Sequence, residues 1–268
     1  EVPKVNLDTI IASNEDVHRV IDEDFEMQQV RLEETIKERR EAGYPISRLE
    51  GRDIFGDCDE EFTKFKRSAQ KEVNYLVKEF ECKKSASAYA RATTARTGVL
   101  DTRSLHTYKF NEDLFKKITV LPDGKNHGLV FILDWSGSMQ YVLQDTCKQL
   151  FNLMWFCKKV QIPFEVYAFT NEWRIRTSDV DYAHKLTPHV DKAKEYDITV
   201  GEDFSLMNLF TSRTNAKTLE HQMLNIWRLS SSFGRLHNTY FQYPPALCLS
   251  GTPLNESLVA LHQIIPQF

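Results

Sequence analysis

Apolar residues recur at steps of three and four over Phe62, Phe65, Ala69, Val73, Leu76, Val77 and Phe80. That spacing draws one stripe along a helix and predicts a helix starting near Glu60 that packs inward. Upstream, "NEDVHRVIDEDFEMQQVRLEETIKERREAGYP" also reads as helix, with Asn14 as the candidate cap and Gly43 and Pro45 as stop signals. Its apolar positions are sparse and its charges dense, so the pattern predicts a solvated or partner-packed helix, not a core element. "ISRLEGRDIFGDCD", with two glycines, separates the two helices, and "KKSASAYARATTARTGVLDTR" follows the second as a solvated connector.

From Leu105 the period becomes strand-like. "LFKKITVLPDGKNHGLVFILD" predicts strand, turn at Asp123-Gly124, and strand. The second of these, Gly128 to Leu133, is apolar at every position, as a central strand covered by helices on both faces would be. Met139 to Val160 resumes the helical step, with Val142, Leu143, Cys147, Leu150, Phe151 and Met154 turned inward. "IPFEVYAFTNEWRIR" predicts a strand from Pro163, a turn at Asn171-Glu172 and a short strand through Trp173 and Ile175. Between Thr177 and Ser250 one helix is legible, around Leu219, Met223, Ile226 and Trp227, flanked by polar loops. Strands alternating with helices place the chain in the α/β class.

Composition narrows the function. The 268 residues are 41% hydrophobic and 27% charged, enough for one good core with material left over. The net charge of −4 does not suit a polyanion binder. Lys83, Lys84, Arg91, Arg96 and Arg103 would suit a phosphate-binding strip, but with only Tyr89 interleaved they read more simply as a solvated connector. No run of about 18 apolar residues exists to span a membrane. The opening "EVPKVNLD" lacks both an initiator Met and an apolar signal, and reads as a fragment or processed form. Five cysteines without a C-x-x-C pair read as reduced thiols of a cytosolic protein. The eight histidines show no metal-ligand spacing.

Candidate chemistry sits in "GLVFILDWSGSMQYVLQD", where an apolar run ends in Asp134 and hydroxyls follow at Ser136 and Ser138. A serine-hydrolase elbow needs small residues two positions either side of its nucleophile; Ser136 has Asp134 and Ser138 there. An aspartyl-nucleophile phosphatase needs a second acid two residues on, and that place holds Ser136. A hard divalent cation fits better, because Mg²⁺ takes oxygen ligands and ligands collect at the carboxyl ends of strands in open α/β sheets. One carboxylate and two neutral hydroxyls leave such an ion underneutralised and open to an outside carboxylate. The plainer alternative for Asp134 is a helix cap. Thr252, ahead of Pro253, is likewise either a cap or a ligand. Trp135 and Met139 read as packing around the loop.

The run Asp134-Trp135-Ser136-Gly137-Ser138 after an apolar strand resembles the D-x-S-x-S motif of von Willebrand factor A domains, whose metal ion-dependent adhesion site binds Mg²⁺. "FEVYAFT" and the "GTPL" of "SGTPLNESL" strengthen the likeness. "TARTGVLDTRSLHTYKFNEDLFKKI" ahead of "LVFILDWSGSM" is similar to the CobT subunit of aerobic cobaltochelatase, especially the CobT-like proteins of tailed bacteriophages. The likeness runs over roughly residues 60 to 268, anchored at Thr97 to Asp101, Asp134 to Met139 and Gly251 to Leu254.

The resemblance implies a Rossmann-like von Willebrand A domain over 105–268, preceded by a helical extension and basic connector over 1–104. It implies Mg²⁺ or Mn²⁺ held by Asp134, Ser136, Ser138 and Thr252, with no nucleotide on this chain, which has no G-x-x-x-x-G-K-[ST] loop. It further implies a non-catalytic adaptor in a ring-shaped hetero-oligomer with a CobS- or MoxR-like AAA+ ATPase. A large corrin-binding chelatase subunit would complete that assembly for cobalt insertion in cobalamin synthesis. The expected compartment is the bacterial cytoplasm, or that of the host for a phage protein, with neither membrane nor nucleic acid as partner. A MoxR-associated adaptor acting on a target unrelated to cobalamin remains open beside it. Two features depart from the family: the interval of 118 residues from Asp134 to Thr252 implies an insertion within about 177–250, and no Asp follows Thr252. The family's last metal-site aspartate and final strands are therefore expected beyond Phe268.

Overall fold

The computed structural model of the chain describes residues 5–45, 51, 53–90, 93–103, 105–110, 115–120, 128–177, 200–201, 203–234 and 241–267. In chain order its main elements are α1 (Leu7–Ile10), β1 (Ile11–Ala12), α2 (Asn14–Glu41), α3 (Gly56–Ala90), β2 (Thr93–Leu100), β3 (Phe115–Val120) and β4 (Leu129–Leu133). They continue with α4 (Leu143–Lys159), β5 (Phe164–Thr170), α5 (Trp173–Thr177), β6 (Ser205–Thr211), α6 (Ala216–Phe233) and α7 (Leu254–Ile264). The fold is mixed α/β, built on one four-stranded sheet in the order β1-β6-β5-β4, with β2 and β3 forming a separate antiparallel pair. β1 runs parallel to β6 and β4 parallel to β5, while β5 and β6 are antiparallel.

Helices cover both sheet faces. Val166, Ala168, Met207 and Leu209 share a core with Cys147, Phe151 and Met154 of α4, Met223 and Ile226 of α6, and Val17, Ile21 and Phe25 of α2. Tyr167, Phe169, Phe204 and Leu206 turn the other way, onto Ala260 and Ile264 of α7 and Ile10 of α1. β5 is buried at every position, as its run of aromatic and branched residues requires. The predicted stripe of α3 faces inward except at Leu76, which is exposed: Phe65 stacks on Trp227, Phe62 meets the same ring at a tilt, and Phe80 meets Phe156 edge-on.

Several expectations need correction. α2 is not solvated in its first half, where Val17 and Ile21 are fully buried. Its cap is Ser13, whose hydroxyl accepts from Asp16 N, while Asn14 is turned into the sheet. The connector after α3 is exposed over 83–87 and 98–100, as a solvated stretch should be, but it is regular: the helix runs on to Ala90, through small residues that are tolerated in helices, and β2 follows. β3 pairs with β2, and the Asp123-Gly124 turn lies outside the described residues. β4 is not central among the described strands; it lies at the sheet edge with β5 as its neighbour, and only Leu133 is buried. Val142 is exposed, because the 3₁₀ turn Gly137–Tyr141 shifts the phase before α4 begins. Trp173 to Thr177 is helical, with Arg176 N bonded to Glu172 O and the Glu172 and Arg176 side chains 3.2 Å apart. The stretch read as an insertion supplies β6 and α6, both packed in the core. Among the described residues no helix is long and apolar enough to cross a membrane.

Candidate metal centre

β4 delivers Asp134 to the carboxyl end of the sheet beside the end of its parallel neighbour β5. The loop then turns tightly: Asp134 Oδ1 accepts from Ser136 N at 3.0 Å, and Met139 N donates to Ser136 O at 3.0 Å. This sets the two serine hydroxyls side by side, Oγ to Oγ 3.0 Å apart. Ser136 is buried and Ser138 exposed, so the pair spans from the loop's interior to its surface. Trp135 anchors the loop from below; it is fully buried, donates from Nε1 to Leu247 O at 2.9 Å, and meets Phe233 edge-on. The carboxylate is not a helix cap, since the 3₁₀ turn that follows is preceded by Ser136 and makes no side-chain cap bond.

The second loop docks directly on the first. Ser136 and Ser250 form a parallel bridge, with Gly137 N donating to Ser250 O at 2.9 Å. Thr252 stands two residues farther along, exposed; its carbonyl accepts from Leu254 N at 2.8 Å, and its hydroxyl caps nothing. Asp134, Ser136 and Ser138 are thus held in one loop, and the chain carrying Thr252 is tied to that loop through Ser250. No hydrogen bond joins the Thr252 side chain to the other three among the described residues.

Two polar groups at this end were not singled out from sequence. Asn171 follows β5 directly, and its Oδ1 is buried without a hydrogen-bond partner; Ser250 Oγ is in the same condition. A side chain at Gly251 would come within 3.7 Å of Asn171 Nδ2, so the loop after β5 borders the same place. Buried oxygens without partners are costly and ask for a ligand or water. Cys248 stands two residues before Ser250, and burial, then the Glu172 charge, hold its thiol above its usual value.

Among the described residues no three His, Cys, Asp or Glu side chains gather as a metal site. A cation here would therefore be held mainly by neutral oxygens, with Asp134 as the charged ligand. The donors present are oxygens, which fits Mg²⁺ or Mn²⁺ and does not fit Zn²⁺ or other ions preferring sulfur and imidazole. The residues fit the group. No family model, curated protein or solved structure matches this chain.

Proposed function

We propose that this chain is a metal-dependent adaptor: it holds Mg²⁺ or Mn²⁺ with Asp134, Ser136, Ser138 and Thr252 and captures a partner's carboxylate on the open face of that ion. The observation that carries the reading is the paired Ser136 and Ser138 hydroxyls, fixed by the Asp134 turn at the carboxyl end of β4 and bridged to the 250–252 loop. The unpartnered Asn171 Oδ1 and Ser250 Oγ support it, because they are buried oxygens without partners in the loops that adjoin the Asp134 turn. When bound, the ion supplies positive charge for adhesion; the chain's residues orient it and break no bond. The partner class that the motif resemblance favours is an AAA+ ATPase of the chelatase and MoxR type, which would carry the ATP hydrolysis. Within that class the reading is a CobT-like subunit of a cobaltochelatase.

The test is Mg²⁺ or Mn²⁺ titrated into the full-length protein while its melting temperature is followed. Binding to the folded state alone at a hundredfold excess over Kd adds about 2.7 kcal/mol, a rise of several degrees. Asp134→Ala should abolish that rise, and an unresponsive wild type removes the proposal. Retention of an AAA+ ATPase on the immobilised protein in Mg²⁺, lost on chelation, identifies the partner class. Co-retention of a corrin-binding large subunit separates the chelatase reading from an adaptor with another target.

A further inference from the structure

The sheet face beneath α7 is apolar along most of its length but ends in a polar row. Glu165, at the start of β5, is only 5% exposed. Its Oε2 accepts from Asn208 Nδ2 at 3.0 Å and its Oε1 from Thr211 Oγ1 at 2.7 Å. Arg213 Nε stands 3.7 Å from Oε1, with its own side chain 77% exposed. Tyr167 occupies the next position on this face, opposite Asn208 in the strand register. These side chains line a cavity of about 430 Å³ whose apolar walls are Leu7, Ile11 and Ile264. Glu165 and Asn171 lie at opposite ends of β5, about 20 Å apart at 3.3 Å per residue, so the cavity is separate from the hydroxyl cluster.

A buried carboxylate is stable only when its lone pairs are met. Of the four acceptor positions on Glu165, Thr211 and Asn208 take two, and Arg213 faces a third at longer range. One remains on Oε2. Asn208 Oδ1 is itself buried with no partner. Burial, and then the Glu165 charge, hold the Tyr167 phenol above its usual value, so its oxygen stays a neutral hydroxyl. The cavity lining therefore offers acceptors and two acids, Glu165 and Asp8, against the single cation Arg213, a net negative charge. A phosphate or carboxylate would meet repulsion there. A guanidinium would want both carboxylate oxygens as a fork, and Thr211 already engages one. A quaternary ammonium has no N–H to give and favours a cage of rings, whereas Tyr167 is the aromatic residue lining this space.

We propose that this cavity binds a primary ammonium group on an alkyl chain, with Glu165 as its counter-ion, Asn208 Oδ1 accepting one of its three hydrogens, and Leu7, Ile11 and Ile264 enclosing the chain. Free alkylamines and lysine side chains share this chemistry. The proposal does not depend on the cation site.

Titration of n-butylammonium chloride into the ¹⁵N-labelled full-length protein tests it, with tetramethylammonium chloride as control. Saturable shifts of the Asn208 side-chain amide are expected, with Kd of order 1 mM for so small a ligand. Tetramethylammonium should bind at least tenfold more weakly, and Glu165→Gln should weaken n-butylammonium at least tenfold. Tyr167→Phe, which removes one hydroxyl, gives a second measure should Glu165→Gln disturb the fold; it should weaken binding severalfold. Tighter binding of a lysine blocked at both ends assigns the site to a peptide, and tighter binding of the free amine assigns it to a small molecule. Non-saturating shifts, equal response to both salts, or unchanged affinity in both folded variants would overturn the proposal.

Discussion

His18 Nε2 donates to the carbonyl oxygen of Leu209 at 2.7 Å, at the point where β6 slips by one residue against β5. The slip leaves Leu209 opposite no partner, and its carbonyl is met from α2 instead, by His18 and by Asn14 Nδ2 at 2.9 Å. A β-bulge of this kind strands a backbone acceptor, which side chains of a covering helix can satisfy. The long first helix is thereby fastened to the sheet by polar groups as well as by Val17 and Ile21.

The burial of His18 makes stability depend on pH. Burial lowers the His18 pKa from 6.5 to about 4, against weaker opposing effects of the Leu209 bond and the Asp22 charge. Between those values the unfolded chain holds a proton that the folded chain refuses, so stability rises with pH. The contribution is complete above the unfolded value and is lost as pH falls through the folded one. Between pH 7 and pH 5 the loss from this group is about 2 kcal/mol. His18→Gln keeps an N–H donor for Leu209 but does not titrate. Urea unfolding at both pH values should therefore show a smaller fall in the variant, and parallel falls would refute the assignment.

A different backbone stress closes α4. Gln161 adopts φ +58°, and the bonds Ile162 N to Cys157 O and Gln161 N to Lys158 O complete a Schellman turn. Glycine is the residue that this place favours, since any Cβ is crowded in the left-handed region. Gln161→Gly should raise stability by about 0.5–1 kcal/mol, measured as a higher urea midpoint with an unchanged slope. A lower midpoint would mean that the Gln161 side chain contributes something the turn geometry does not reveal.

Arg228 binds Asp59 with two parallel bonds, Nε to Oδ1 at 2.8 Å and Nη2 to Oδ2 at 2.5 Å, and lies 4.1 Å over the Phe55 ring. It thus ties α6 to the start of α3 through charge and ring together. Arg228→Lys keeps the charge but loses the fork and the flat stacking surface. The pair is partly exposed, which tempers the cost to about 1–2 kcal/mol by thermal or urea unfolding. A neutral result would show that solvent screens the pair fully.

How much could be read from the sequence varies with how local the cause is. α4, α6 and β5 were legible because Phe151, Ile226 and Val166 belong to patterns their own neighbours complete. β6 was not, because Asn208 interrupts its apolar run for the sake of Glu165 on the adjacent strand. Ser13 and Asn14 are equally good caps by residue type. The choice falls to Ser13 because the Leu209 carbonyl, far away in sequence, needs Asn14. β4 reads as central because its residues are apolar on both faces, yet which strands flank it is a matter of topology that composition does not encode. At the site, the spacing of Asp134, Ser136 and Ser138 was visible, while the unpartnered Asn171 and Ser250 oxygens exist only once the loops are brought together.

Ser136 and Ser138 offer the sharpest separation of ligand from scaffold. Ser138 is exposed, its hydroxyl meeting only that of Ser136 among the described residues, so Ser138→Ala should change stability by less than about 0.5 kcal/mol without metal. If its oxygen ligates a cation, the same variant should weaken Mg²⁺ binding at least tenfold, read as a lost melting-temperature rise. Trp135→Phe should behave in the opposite way. It leaves the Leu247 carbonyl without its indole donor, costing about 1–3 kcal/mol without metal, while the oxygens of the loop stay in place. A metal response lost in Ser138→Ala but kept in Trp135→Phe marks hydroxyl coordination. A response lost equally in both would mean that loop order alone, and no bond from Ser138, controls the site.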